Sequence, residues 1–144
     1  MAIKESYENA LRKAIATGPY YQLLGISLEK LDNGFARFRM PFKEGLLQVN
    51  GVIHGGAIAS LADTAVAFAL MTMIQPGEKV TTVEFKINYL APAEEGDLFG
   101  EAQVVSKGRR IAVADMEVKN GEGKRIAKGM ATYMILSPRK PMEE

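Results

Sequence analysis

From Ala57 to Ile74 the chain is almost wholly apolar, and Asp63 is the one charged residue in the run. Pro76-Gly77 closes the run, which has the length of a helix. A helix apolar on nearly every side leaves no stripe for water. Something must therefore enclose it: a sheet curled around it, or a second subunit. A membrane is the third way to bury it, but a carboxylate near the middle would be costly in lipid, and much of the run is Ala and Thr. The chain is read as soluble, cytoplasmic and without a membrane span.

What surrounds this helix is built for pairing. Ser6 to Thr17 has the spacing of a short amphipathic helix, ended by Gly18-Pro19, and Tyr20 to Leu24 is a second apolar piece. Gly25 to Leu31 and Phe35 to Phe42 predict two strands joined at Asp32-Asn33-Gly34. After a glycine-rich loop, Glu44 to Gly56, and the long helix, strands are expected over Val80–Tyr89, Asp97–Val105, Ile111–Lys119 and Ile126–Leu136. Tight turns at Lys107-Gly108 and Asn120-Gly121-Glu122-Gly123 imply antiparallel pairing. The expectation is an α+β fold over residues 1–144, one domain, with a five- to six-stranded antiparallel sheet around a central helix. Residues 1–19 form an N-terminal helix and 137–144 a loose tail.

Composition removes several kinds of chemistry. The chain of 144 residues has no Cys and one His, His54. A thiol nucleophile, a Cys-ligated zinc and a His-rich metal site are excluded, and no cofactor is expected. A net charge of +1 argues against nucleic acid as partner.

The residues with chemical potential cluster at the start of the long helix. Gly55 and Gly56 carry backbone N–H groups without intrahelical partners, at the positive end of the helix dipole. Such a turn suits an anion or a polarised carbonyl oxygen. Asp63 calls for a reason, because burying an unpaired carboxylate costs on the order of several kcal/mol. It is either satisfied structurally, by Thr64 or a backbone group, or functional. Gly55 and Asp63 are eight residues apart, roughly 12 Å along a helix. They cannot reach one carbonyl from the same chain. If both act in one reaction, a two-fold dimer with antiparallel helices must bring the glycine of one subunit to the aspartate of the other.

The stretch Asn50-Gly51-Val52-Ile53-His54-Gly55-Gly56, followed by Leu61-Ala62-Asp63-Thr64-Ala65, resembles the signature of hotdog-fold acyl-CoA thioesterases, above all the PaaI-like branch (phenylacetic acid degradation). Val83 to Ala93, the turn Lys107-Gly108-Arg109-Arg110 and the closing strand through Gly129, Ala131 and Thr132 fit the same family. The resemblance implies hydrolysis of an acyl- or aryl-CoA to free acid and CoA. It makes Asp63 the general base or nucleophile, Gly55 the carbonyl-polarising N–H, His54 a residue positioning substrate or the glycine turn, and Thr82 a supporting hydroxyl. Gln48 holds the place of a residue that orients the attacking water or the carboxylate. The PaaI-like branch often has Asn there, and Gln is shared with the 4-hydroxybenzoyl-CoA thioesterase type; Asn50 is a nearby substitute. Asn50 and Gly56 are expected at the substrate. Lys107, Arg109 and Arg110 read either as a solvated hairpin tip or as a clamp for the CoA phosphates. His54 taken alone is as compatible with helix capping. The fold also hosts non-catalytic acyl-CoA-binding or sensing modules and dehydratases. The expected assembly is a homodimer or a tetramer of two dimers.

Overall fold

The computed structural model describes residues 3–139. In chain order the elements are α1 (Glu5–Thr17), α2 (Pro19–Leu24), β1 (Ser27–Asp32), β2 (Phe35–Met40), a 3-10 turn (Glu44–Leu46), α3 (Gly55–Met71), β3 (Lys79–Tyr89), β4 (Leu98–Lys107), β5 (Ile111–Asn120) and β6 (Arg125–Leu136). The six strands form one antiparallel sheet in the order β1-β2-β4-β5-β6-β3. The sheet wraps around α3, so the α+β architecture is the one expected, with six strands. Of the expected tail, residues beyond Arg139 lie outside the described part.

The expected elements all form, with ends shifted by a few residues. α3 begins at Gly55 rather than Ala57 and ends at Met71 rather than Ile74. Glycine is a poor helix former, but here His54 caps the turn. Its backbone is extended and its ring accepts the Gly56 N–H. The cap sets the start, and propensity does not.

The core lies between α3 and the concave face of the sheet. Phe38, Met40, Leu98, Met116, Val118 and Ile126 from the strands meet Leu61, Val66, Phe68 and Leu70 from α3, all with their side chains fully buried. The Phe38 and Phe68 rings pack edge to face at 5.3 Å, a favoured aromatic geometry. Gly100 on β4 lets the helix come close. A Cβ there would stand 2.7 Å from Leu61 Cγ.

Enclosure of α3 is incomplete. Gly56 is exposed, and Ala59, Ser60, Asp63, Ala67 and Met71 are half-buried. These positions recur at helical spacing and form one stripe. The stripe is made mostly of small residues, and Asp63 sits in its middle. Strand β3 is also uncovered on one side. It is an edge strand over Lys79–Tyr89, paired only with β6.

Candidate active site

The helix divides the expected site residues into two groups. At its N-terminal end stand Gln48, Asn50, His54, Gly55 and Gly56. Two turns further on stands Asp63, which meets Thr82 and Tyr133.

The first group is organised by backbone hydrogen bonds. An isolated bridge between Leu47 and Ile53 closes the loop, the Gln48 N–H donates to the Val52 carbonyl at 2.8 Å, and the Ile53 N–H donates to Ala93 O at 2.8 Å. The loop is thereby fixed to the β3–β4 connection, and the helix starts at a defined point. His54 Nδ1 accepts the Gly56 N–H at 2.7 Å. The capping role weighed for a lone histidine is thus the one its ring fills. The Gly56 N–H is spent on that bond and is not free for a substrate oxygen. The Gly55 N–H, at the first helical position, has no intrahelical acceptor and no other partner among the described residues. It stands at the positive end of the helix, free to donate.

Tyr89, at the end of β3, holds the same turn from the other side. Its hydroxyl donates to the Gly55 carbonyl at 2.8 Å. A Cβ at residue 55 would lie 3.1 Å from the Tyr89 ring. A side chain at residue 55 would displace the exposed end of the Tyr89 ring by a few tenths of an ångström. Beside this turn lies an open groove of about 340 Å³, lined by Ile53, Gly55, Ile58, Tyr89, Leu90 and Pro92 among others.

Gln48 turns inward on its own loop, where its side-chain carbonyl accepts the Asn50 N–H. Asn50 is exposed. Neither residue is hydrogen-bonded to Asp63 within the chain; both belong to the Gly55 end of the helix.

The second group is a polar knot at the edge of the core. Thr82 Oγ1 donates to Asp63 Oδ1 at 3.0 Å, with Oδ2 at 3.4 Å. The Tyr133 hydroxyl donates to the same Oδ1 and lies 2.9 Å from the Asp63 carbonyl oxygen. Thr64 takes no part. Its hydroxyl donates to the Ser60 carbonyl at 2.7 Å, so the reading in which Thr64 satisfies Asp63 is corrected. A threonine inside a helix bonds back along its own helix more readily than to its neighbour's side chain.

Two features of the sheet build this knot. In the β3–β6 register Thr82 lies opposite Tyr133, so both side chains emerge together on the concave face. The register slips between Thr82 and Glu84, a bulge at Val83. Without the extra residue Thr82 and Glu84 would share a face. With it Thr82 points at the helix and Glu84 at the outer surface.

Tyr133 is buried, with 3% of its surface exposed. Burial first, then the Asp63 carboxylate, pushes its phenol well above the ordinary value. It is a donor and not a base. The Tyr21 phenol, on α2, is raised for the same two reasons in the same order. Tyr133 escaped the sequence reading, because a tyrosine within an apolar strand looks like core. Its role depends on contacts across 70 residues of sequence.

Lys107, Arg109 and Arg110 are exposed at the β4–β5 turn. Lys107 pairs with Ala112, Ala112 with Tyr133, and Tyr133 with Thr82. The basic tip therefore sits at the same end of the sheet as the Asp63 knot, about three strand spacings or roughly 14 Å from Thr82. Among the described residues no three of the His, Asp and Glu side chains converge as metal ligands would.

The sequence profile of the Thioesterase superfamily matches residues 50–127, a span that takes in Gly55, Asp63 and Thr82. The chain belongs to the thioesterase superfamily. A crystal structure of a thioesterase family protein from Silicibacter pomeroyi superimposes on this thioesterase with a TM-score of 0.86 at 32% identity, covering 91% of this chain and 98% of that one. The PaaI protein from the phenylacetic acid degradation operon of Escherichia coli gives 0.86 at 26% identity, covering 95% and 98%. The medium/long-chain acyl-CoA thioesterase YigI of E. coli is 27% identical over 81% of this chain and 85% of its own length. The fold is the hotdog fold of the PaaI-like thioesterases, and the protein is a thioester hydrolase. No helix among the described residues is long and apolar enough to cross a membrane.

Proposed function

We propose that this thioesterase hydrolyses acyl- or aryl-CoA in a site shared between two subunits, Asp63 from one and the Gly55 N–H from the other. One observation carries the reading. The only acid in α3 and the free N–H at its first turn lie on one straight helix, eight residues apart and so roughly 12 Å from each other. A thioester carbon and its carbonyl oxygen are about one bond apart, so one chain cannot serve both.

A second copy related by a two-fold axis supplies the missing half. Its α3 lies antiparallel against the open stripe, where Gly56, Ala59 and Ala67 let two backbones come close. The uncovered edge of β3 supports the same arrangement. A long edge strand with unpaired backbone groups calls for a cover, and Val83 on it is 57% exposed. Pairing β3 with its copy gives one continuous sheet and two equal sites.

The chemistry follows from the parts. The substrate carbonyl accepts the partner's Gly55 N–H, which stabilises the oxyanion as the carbon becomes tetrahedral. Asp63 either takes a proton from water as the water oxygen bonds to that carbon, or attacks the carbon itself and is later released by water. In both routes the C–S bond breaks and the CoA thiolate leaves with a proton. The net reaction adds water and yields acid and CoA. Ile53, Ile58, Leu90 and Pro92 beside Gly55 offer apolar surface for the acyl or pantetheine part. In this reading Lys107, Arg109 and Arg110, exposed at the same end of the sheet as Asp63, bind the CoA phosphates.

Thiol release from a panel of aryl-, short-, medium- and long-chain CoA esters tests this, with Asp63→Ala as control. Activity on at least one class, abolished in the variant, is the expected result. No release from any ester would leave a binding module instead. Full activity in Asp63→Ala would remove Asp63 from the site.

A further inference from the structure

Asp63 presents two oxygens in unequal surroundings. Oδ1 accepts both the Tyr133 hydroxyl and the Thr82 hydroxyl, the latter at 3.0 Å. Oδ2 has only the Thr82 oxygen at 3.4 Å, a distance at which a hydrogen bond is weak. The lone pairs of Oδ2 are therefore largely unspent, and those of Oδ1 are engaged. Tyr133 also reaches the Asp63 backbone carbonyl at 2.9 Å. Its hydroxyl thus spans the side chain and the main chain of one residue and fixes the rotation of the carboxylate. Thr82 alone would not do this, since its side chain is exposed and its oxygen lies within reach of both carboxylate oxygens.

We propose that Tyr133 is a positioning residue for the thioesterase reaction: it anchors Asp63 through Oδ1, so that Oδ2 is the oxygen that meets water or the thioester carbon. This inference rests on Asp63 being the acting acid. The strand register makes it specific, because the bulge at Val83 and the Thr82–Tyr133 pairing bring both hydroxyls to the same carboxylate oxygen. A donor on Oδ1 also withdraws electron density from the carboxylate, which works against reactivity. Geometry outweighs that loss, because misplacing a reacting group by about 1 Å costs on the order of a hundredfold in rate. A freely rotating carboxylate would present either oxygen, at varying angles, to a carbonyl held by the other subunit.

The test is Tyr133→Phe, which keeps the buried ring and removes only the hydroxyl, assayed beside Asp63→Asn on the best CoA ester. Thermal melting confirms that each variant is folded, and gel filtration that its assembly matches the wild type. Loss of one hydrogen bond to a charged group predicts a kcat lower by roughly ten- to hundredfold. KM should stay within about twofold, because Tyr133 touches the acid and not the substrate. A near wild-type kcat in Tyr133→Phe with an inactive Asp63→Asn overturns the role of Tyr133 and leaves the site standing. A change confined to KM also overturns it. An active Asp63→Asn overturns the site itself, and the role of Tyr133 with it. Should the variant not fold, a crystal structure of the wild type with a thioether analogue of the ester decides. Oδ2 facing the acyl position supports the anchoring, and Oδ1 facing it contradicts it.

Discussion

At the scale of residues, His54 acts first through its ring nitrogen as a helix cap. Replacing it with Ala frees the Gly56 N–H and removes the group that sets the start of α3. Losing such a cap costs about 1 kcal/mol. A urea titration of His54→Ala should show that loss, together with reduced kcat as the Gly55 turn loosens; an unchanged midpoint would deny the capping role. Thr82→Val removes a hydroxyl donor to Asp63 at an exposed position. It should lower kcat by roughly tenfold, the lower end for a hydrogen bond to a charged group, and leave stability nearly unchanged. Steady-state rates and a thermal melt check both halves. Gly55 and Asp63 were legible in the sequence because each breaks a local pattern, a glycine pair opening a helix and an acid in an apolar run. Thr82 came from the family resemblance. Tyr133 did not come from either, since nothing within the strand Arg125–Leu136 marks its hydroxyl. It becomes visible only when the bulge at Val83 fixes the β3–β6 register.

At the scale of elements, the close approach of α3 to β4 depends on Gly100. A Cβ there meets Leu61 at 2.7 Å, and overpacking of this kind costs about 1–3 kcal/mol. Gly100→Ala should lower the thermal midpoint measurably, and Leu61→Ala in the same chain should recover part of the clash while adding a cavity. The β2–β4 pairing carries a charge on its outer side. The Arg39 hydrogen bond first, then the Phe42 N–H, holds the Asp97 carboxyl below the usual carboxylate range. A depressed folded value means that the contribution is present above the ordinary carboxylate range and is lost as pH falls through the folded value. Arg39→Ala should therefore lower the urea midpoint slightly at neutral pH, and the difference from wild type should shrink as pH falls through the folded value of Asp97. Element identities were legible from period and turn residues, as at Asn33-Gly34. The order of strands was not. Placing β3 outside β6, far from its sequence neighbour β2, depends on α3 crossing the sheet, which no local pattern records.

At the scale of the molecule, the proposed site divides between two copies, because Gly55 and Asp63 stand at separate places along α3. The helix that required enclosure is enclosed on most sides by the sheet, and its remaining stripe holds Asp63 and small residues. The separation that motivates a second copy, eight residues of one helix between Gly55 and Asp63, is legible in the sequence itself. A mixture of two inactive variants tests it directly. Asp63→Asn removes the acid. Gly55→Pro removes the free N–H at a helix position that accepts proline, after a His54 whose φ of -61° and ψ of 135° suit a following proline; the half-exposed Tyr89 ring shifts slightly to admit it. After co-refolding equal amounts, about half of the dimers are mixed, and each mixed dimer has one site with both groups intact. The shared site predicts recovery of about a quarter of wild-type thiol release. No recovery from a mixture shown to contain mixed dimers would contradict it, because a site built within one chain leaves every subunit defective.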